Sequence, residues 1–284
     1  MTALALLLVL QLCTPLRTQQ VGSLPAQINE ASGVALSRVF PGRVYHVNDS
    51  GSEGVIYATN IAGNELQLGR VQGFKPKDVE DLRLGPCGNG KDCLFIADIG
   101  DNDHNRRTIE VIVVEEPSRM NGPLSIRKRI RMRYPDLPHD AESLAVHPDG
   151  TILILTKNEN GLEQLFRLTR TQWQNSDNTV AMLAPAGSIN IRSILPNTDS
   201  FGIRPTSMDI SSDGKRLLVL TYRDAIEFAI DIRKPEPLSL ARRIPVDFLM
   251  QQEAVAYTPD GSSFIYTTEY QLLPAWIMKA ACGK

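Results

Sequence analysis

Three stretches of the chain align with one another almost without gaps. They run from Glu142-Ser-Leu-Ala-Val-His-Pro-Asp-Gly150 on to Lys157, from Thr206-Ser-Met-Asp-Ile-Ser-Ser-Asp-Gly214 on to Tyr222, and from Glu253-Ala-Val-Ala-Tyr-Thr-Pro-Asp-Gly261 on to Thr268. Each reads as a short apolar strand, an Asp-Gly turn that supplies the positive φ a tight hairpin needs, and a second β-branched strand. Two earlier copies fit with longer turns, Glu30 to Asn48 around Pro41-Gly42 and Glu80 to Asp98 around a loop bounded by two cysteines. The five hairpins start at residues 30, 80, 142, 206 and 253. After each come two more strand-like runs, such as Val55–Thr59 with Glu65–Val71 and Thr108–Glu115 with Ser125–Tyr134. Four strands per unit, repeated at this spacing and almost without helical periodicity, predict an all-β chain folded as a β-propeller of five four-stranded blades, with six as the alternative. The last copy lacks a fourth strand, and Gln19–Leu24 is placed to supply it, closing the ring between the two ends of the chain.

From Ala3 to Leu12 only Gln11 is not apolar. A run this short cannot cross a bilayer core that needs roughly 20 residues, so it reads as the core of an export signal. The expected organisation is a signal over residues 1–18 and one propeller domain over 19–284, with a secreted or periplasmic location. An uncleaved anchor is the rival. Cys13 would leave with the signal, Cys282 stands alone near the end, and Cys87 and Cys93 bracket a short turn that a disulfide can staple in an oxidising compartment.

The 30 basic residues nearly balance the 32 acidic ones, a net charge of -2. That excludes a global field for nucleic acid or anionic membranes, so functional charge has to be local. Arg127, Arg129, Arg131 and Arg133 alternate along one strand and read as the solvated face of an outer blade strand. Trp173 and Trp276 lie outside the hairpins and read as packing residues. The nucleophile and phosphate-loop patterns Gly-x-Ser-x-Gly, Gly-x-x-x-x-Gly-Lys and His-Glu-x-x-His are absent.

In a propeller the first strand of each blade lines the central channel, and its hairpin returns the second strand to the same end. One mouth of the channel therefore gathers the first residues of the copies, Glu30, Glu80, Glu142, Thr206 and Glu253. It also gathers the ends of the second strands, Asn48-Asp49, Asp98 with Asp101-Asn102, Lys157-Asn158, Tyr222-Arg223 and Thr268-Glu269. Converging carboxylates raise one another's pKa, and Lys157 and Arg223 offset only part of the charge. Oxygen donors without His or thiolate suit a hard divalent ion, Ca2+ first and Mg2+ or Mn2+ next. The expected metal ligands are Glu30, Glu80, Asp98, Glu142 and Glu253, with Asn48, Asp49, Lys157, Arg223 and Glu269 facing a small or extended ligand. A ring of hydrogen-bonded polar residues that merely caps the channel is the bland alternative. If the site is catalytic, Asp98, Glu142 and His139 are the candidates for proton transfer in a metal-dependent hydrolysis of lactones or phosphoesters. Asp101-Asn-Asp103-His-Asn105 has the spacing of a calcium loop, but Arg106 stands at its sixth position and Ile112 at its twelfth, where Gly and Glu belong. Asn48-Asp49-Ser50 is formally a glycosylation sequon whose place at the mouth favours a structural or ligand role. A monomeric binding module is the leading expectation, and a structural or adhesive propeller the third.

Ile28-Asn-Glu-Ala-Ser-Gly33, Val47-Asn-Asp-Ser-Gly51, Val79-Glu-Asp-Leu-Arg-Leu-Gly-Pro86 and Asp98-Ile-Gly-Asp-Asn102 resemble the Asn-Glu-x-Ser-Gly, His-Asn-Asp-Ser-Gly, Asp-Trp-Glu-Asp and Gly-Asp-Ile-Gly-Asp-Asn patterns of a group of secreted, mostly bacterial β-propeller proteins of uncharacterised function. The resemblance spans about residues 28–270, with its specific part in the first hundred. Val79 replaces the usual Trp, and Val47 separates His46 from Asn48, while the acidic positions are kept. More distantly the chain resembles the calcium-dependent lactonase propellers of the regucalcin and paraoxonase type, which hold a metal in the channel with Glu, Asn and Asp. Those have six blades, so that likeness is architectural.

Overall fold

The computed structural model describes residues 14–49, 53–88, 90–269 and 275–283. Strand β1 (Thr14–Ser23) opens the described chain. Blade 1 is β2 (Ala31–Leu36), β3 (Arg43–Asn48), β4 (Val55–Asn60) and β5 (Gln67–Val71). Blade 2 is β6 (Val79–Gly88), β7 (Lys91–Asp98), β8 (Ile109–Glu115) and, after the short β9 (Gly122–Leu124), β10 (Ile126–Arg133). Blade 3 is β11 (Ala141–Val146), β12 (Ile152–Thr156), β13 (Leu162–Leu168) and, after α1 (Arg170–Gln174) and β14 (Val180–Met182), β15 (Ala184–Asn190). Following α2 (Ile191–Ile194), blade 4 is β16 (Pro205–Ile210), β17 (Arg216–Thr221), β18 (Ala225–Ile230) and β19 (Leu238–Ile244). Blade 5 is β20 (Gln252–Tyr257), β21 (Ser263–Thr268) and β22 (Trp276–Gly283), completed by β1.

The ring has five blades, and the six-bladed alternative falls away. β1 pairs antiparallel with β22 from Thr14↔Gly283 to Ser23↔Trp276, so the two ends of the chain close one blade. That strand begins at Thr14, ahead of the boundary at residue 18 expected for the signal. The apolar run Ala3–Leu12 and Cys13 lie outside the described residues. Two outer strands are extended in parallel by short segments of the next unit, β5 by β9 and β10 by β14. Among the described residues no helix is long and apolar enough to cross a membrane.

The Asp-Gly turns repeat one geometry. Gly150, Gly214 and Gly261 have φ of 91°, 71° and 66°, the left-handed region where a Cβ is costly. In each turn the preceding aspartate accepts a bond from the amide two residues on, at Thr151, Lys215 and Ser262. The hairpins are thus set locally, before any blade packs on another.

β11, β12, β17, β18, β20 and β21 are buried along nearly their whole length, because each blade is covered on both faces. The apolar side chains form five clusters, and each lies between neighbouring blades. Leu82, Leu94 and Ile96 pack with Tyr45 and Ile56 between blades 1 and 2, for example, and Val219 and Ile226 with Leu153 and Leu155 between blades 3 and 4. Burial of this kind stabilises by about 25 cal/mol per Å² of apolar surface, without which no blade would hold alone. Trp173 on α1 is buried, donates from Nε1 to the Gly150 carbonyl at 2.8 Å and meets Phe95 edge-on, the packing role expected of it. Arg129, Arg131 and Arg133 alternate with buried Ile130 and Met132 on the outer strand, as expected of a solvated face. Cys87 and Cys93 form the predicted disulfide, with Cα atoms 5.6 Å apart. The side chain of Cys282 lies outside the described residues.

The channel is closed at mid-depth by one residue. Arg83 on β6 is 1% exposed. Its Nε donates to the carbonyls of Leu144 (2.9 Å) and Met208 (2.6 Å), and its Nη1 to those of Val34 (2.6 Å) and Leu82 (2.9 Å). Nη2 pairs with Asp81 at 2.7 Å and donates to the Ser207 hydroxyl, which in turn accepts the Val255 amide at 3.1 Å. Arg83 therefore joins the inner strands of blades 1 to 4 directly and blade 5 through Ser207. Burial pushes the Asp81 carboxyl up to about 7, while Arg83 and the amides of Leu144 and Leu82 favour its charged form.

Candidate metal-binding site at the channel mouth

Every inner strand carries a bulge near its start. The residue skipped in the register is Ser32, Glu80, Glu142, Thr206 or Glu253 in turn. These five residues form the ring at the mouth. Glu30 is therefore not the counterpart of Glu80. Its backbone carbonyl accepts the Asp49 amide, just as those of Asp140, Arg204 and Gln251 accept the amides of Lys157, Tyr222 and Glu269, so it stands one pleat further out. Glu30 is exposed and Ser32 takes the ring position expected for it. The Thr206 hydroxyl completes the ring on blade 4, buried and without a hydrogen-bond partner among the described residues.

Glu80, Glu142 and Glu253 are 4%, 6% and 8% exposed. Lys157 is the cation between the last two, with Nζ 2.6 Å from Glu142 Oε1 and 3.1 Å from the Tyr222 hydroxyl. Tyr222 also bonds to Glu253, and Glu142 to Glu80. On the far side Gln251 Nε2 donates to Glu253 (3.3 Å) and Glu269 (3.1 Å). A polar chain thus runs around the mouth from blade 2 to blade 5.

Its other end is where carboxylates accumulate. Asp49 from the end of β3, Asp78 from just before β6 and Glu80 each offer one oxygen within 4.8 Å of the others. Asp49 and Asp78 are half-buried, and their side chains are hydrogen-bonded to each other. Burial, then the neighbouring Glu142, Asp49 and Asp78, push Glu80 well above the usual carboxylate range. Burial and Asp140 raise Asp78 in the same way. Burial also raises Glu142 against the pull of Lys157, and raises Glu253 with Glu142 adding to it. Burial opposes the charge on Lys157, but Glu142 outweighs it and holds the ammonium protonated.

The donor set fits a hard ion. Carboxylate oxygens without His or thiolate are the donors of hard divalent ions such as Ca2+, Mg2+ and Mn2+. Gly100 is the wall of this cradle. A Cβ there would lie 2.2 Å from Glu80 Oε1 and 2.5 Å from Asp78 Oδ2, so only glycine leaves both carboxylates in place.

Other expected residues have different work. Asp98 is 1% exposed and its carboxylate accepts the amides of Lys77 (3.0 Å) and Asp78 (3.2 Å) and Arg106 Nη2 (2.7 Å). It positions Asp78 from behind, where a metal ligand had been expected. Asp101 caps the amides of Asn105 (3.0 Å) and Arg106 (2.9 Å), so the calcium-loop spacing there makes a turn and brings no second carboxylate group together. His139 bonds to Asp136 at 3.0 Å and packs on Tyr134 and Phe166, pointing its chemistry outside the ring. Arg223 faces Asp199 (3.5 Å) and lies over Phe248, outside the chain of contacts around Lys157. Asn48 is buried, with Nδ2 donating to the Gln27 carbonyl and Asn29, so its sequon is closed to modification and it braces the strand before Asp49. Asp78 escaped the sequence reading, although Asp78-Val-Glu80 and Asp140-Ala-Glu142 share an acidic pair two residues apart that marks the approach to the ring.

No protein-family model matches the sequence, and no curated protein matches it. Solved structures share its fold. They include an aldose sugar dehydrogenase from Streptomyces coelicolor in its PQQ-bound form (10% identity, 95% of this chain and 98% of that one, TM-score 0.50) and a Thermus thermophilus chain described as an oxidoreductase, glucose dehydrogenase (14%, 93% and 99%, TM-score 0.52). A luciferin-regenerating enzyme is similar at 11% identity over 93% of this chain and 95% of that one, with a TM-score of 0.50. The chain is a β-propeller. At such identities the likeness carries the fold alone, and what those proteins act on does not transfer with it.

Proposed function

We propose that this propeller is an exported, monomeric binding module that holds a divalent cation, Ca2+ by donor type, at Asp49, Asp78 and Glu80 and presents it to a ligand at the channel mouth. The observation that carries this reading is the excess of converging carboxylates, five counting Glu142 and Glu253, over the two cations among the described residues that act on them, Lys157 and Arg106. The disulfide and the apolar run Ala3–Leu12 support export. Elemental analysis of the purified protein is the test: about one equivalent of calcium supports the module, and protein free of divalent metal that takes up none on dialysis supports the structural propeller.

One observation favours a second reading, a metal-dependent hydrolase of lactones or phosphoesters. Glu142 touches both Glu80 and Lys157 and has a raised pKa, the property of a general acid or base beside a cation. Turnover of a lactone or phosphoester with added Ca2+ or Mn2+, lost in Glu142→Gln, would establish the hydrolase. Uniform silence across both substrate classes with bound metal would count against the hydrolase.

A further inference from the structure

The segments that lead into β16 and β20 turn apolar side chains outward. Ile203 and Leu249 pack into the core, while Phe201, Phe248 and Met250 are 47%, 48% and 67% exposed. Both segments are held in place: the Gly202 amide donates to Asp199 Oδ1 (2.6 Å), the Leu249 amide to Gln252 Oε1 (3.0 Å) and the Tyr266 hydroxyl to the Asp247 carbonyl (3.2 Å). The turn after β17 joins them. Phe201 lies flat on Tyr222, with ring centroids 4.2 Å apart and planes at 8°, and the guanidinium of the next residue, Arg223, lies 4.1 Å over the centre of the Phe248 ring. Phe201, Tyr222, Arg223 and Phe248 therefore form one continuous surface. Tyr222 ties it to the channel mouth, since its hydroxyl bonds to Lys157 (3.1 Å) and Glu253. An exposed apolar surface beside a polar site marks a place where something docks, and rings already stacked have little side-chain entropy left to lose. Arg223 adds a charge that can change partners. Its ion pair is with Asp199 at 3.5 Å, the two side chains are 41% and 58% exposed, and such a pair contributes only about 0–1 kcal/mol.

We propose that this surface docks a polypeptide segment of another protein that carries an Asp or Glu among aromatic or aliphatic side chains, the carboxylate pairing with Arg223 and its neighbours covering Phe201, Phe248 and Met250. Phe, Tyr, Met and Arg are the residues enriched where proteins meet proteins, and Tyr and Arg among those that carry most of the binding energy. Asp199 and Asp247, both exposed beside the rings, set the surface against an anionic membrane. The docking goes beyond the cation-binding module and needs no ion in the acidic cradle.

The test is selection of phage-displayed random linear peptides on the immobilised full protein in EDTA, followed by fluorescence anisotropy with a synthetic copy of an enriched peptide. Enriched sequences should share an acidic residue flanked by aromatic or aliphatic ones. The double variant Phe248→Ser/Met250→Ser, altered only at exposed side chains, should bind the peptide about tenfold or more weakly with an unchanged unfolding midpoint. Arg223→Glu should weaken it in the same way, and replacing the peptide's acidic residue by Arg should restore affinity for that variant, a recovery that damage to the fold would not allow. Enriched peptides without the acidic and apolar pattern, equal affinity in the variants, or no recovery on the charge swap would overturn the proposal. A concentration-dependent dimer of the protein alone that Phe248→Ser abolishes would also overturn it, by giving the surface to a second copy of the chain. Because EDTA is present throughout, the outcome is independent of whether the acidic cradle binds metal.

Discussion

Two buried ionic groups lie on the same axis and are arranged in opposite ways. At mid-channel each nitrogen of Arg83 is matched to carbonyls, Asp81 or Ser207. At the mouth, Glu80, Glu142 and Glu253 share one lysine, and Asp49 and Asp78 add to the excess. A buried charge with complete partners specifies a structure, while a buried charge in excess has to be neutralised from outside, by protons or by a cation. On the proposed reading the mid-channel group belongs to the fold and the mouth to function.

The sharpest way to break this contrast is to remove the hub. Arg83→Met should cost about 3–5 kcal/mol of unfolding free energy, because Asp81 and the carbonyls of four blades lose their partner in the dry interior. Denaturant unfolding measures it, and a variant as stable as the parent would show that the plug is ornamental. At the mouth the sign reverses. Glu80→Gln should reduce Ca2+ affinity at least about 10–100-fold, since losing a ligand costs no less than losing a group that supports one, yet leave the metal-free protein as stable or more so. Gly100→Ala should lose Ca2+ affinity in the same way but also cost about 1–3 kcal/mol of stability, since its methyl has to displace both Glu80 and Asp78.

The contrast also has a pH signature. Carboxyls raised in the folded state bind more protons than in the unfolded chain, so the metal-free protein should lose stability as pH rises through that window. Buried His46, lowered to about 3, acts in the opposite sense, its stability being lost as pH falls below 6.5. Thermal melts above about pH 6.5, where His46 is neutral in both states, should thus show a midpoint that falls in EDTA and falls less steeply in saturating Ca2+, the remaining slope belonging to carboxyls outside the cradle such as Asp81 and Glu163, both raised by burial to about 7. The smallest effect belongs to the β6–β7 turn, at the end of blade 2 away from the mouth. Breaking the Cys87–Cys93 link with paired serines should cost up to about 2 kcal/mol, as the loop it closes is short, and leave Ca2+ affinity unchanged.

The blades were legible because their signals are local. Asp-Gly turns, β-branched strands and a recurring spacing locate the hairpins to within a residue or two, and β1 was foreseen as the closing strand, though it starts earlier than the Gln19 expected. What was hidden depends on register. Glu30 and Glu80 look alike in the alignment, but only the pairing of Ala31 with Asn48 puts the bulge at Ser32 and moves Glu30 out of the ring. Asp98 stands where the repeat expects a mouth residue, and its carboxylate is taken up by Arg106 and two amides that no local pattern announces. Arg83 could have been found, since Asp81 and Arg83 are opposite charges on alternate positions of an inner strand that carries no other charge beyond Glu80, a pairing that faces the axis.

The most direct test of the central claim is titration of EDTA-treated protein with CaCl2, in parallel for the parent and Glu80→Gln. The account predicts a single saturable site in the parent, protons released as it fills, and a loss of at least about 10–100-fold in affinity in the variant. Absence of saturable binding of any divalent ion to the parent, or equal affinity in the two proteins, would contradict it.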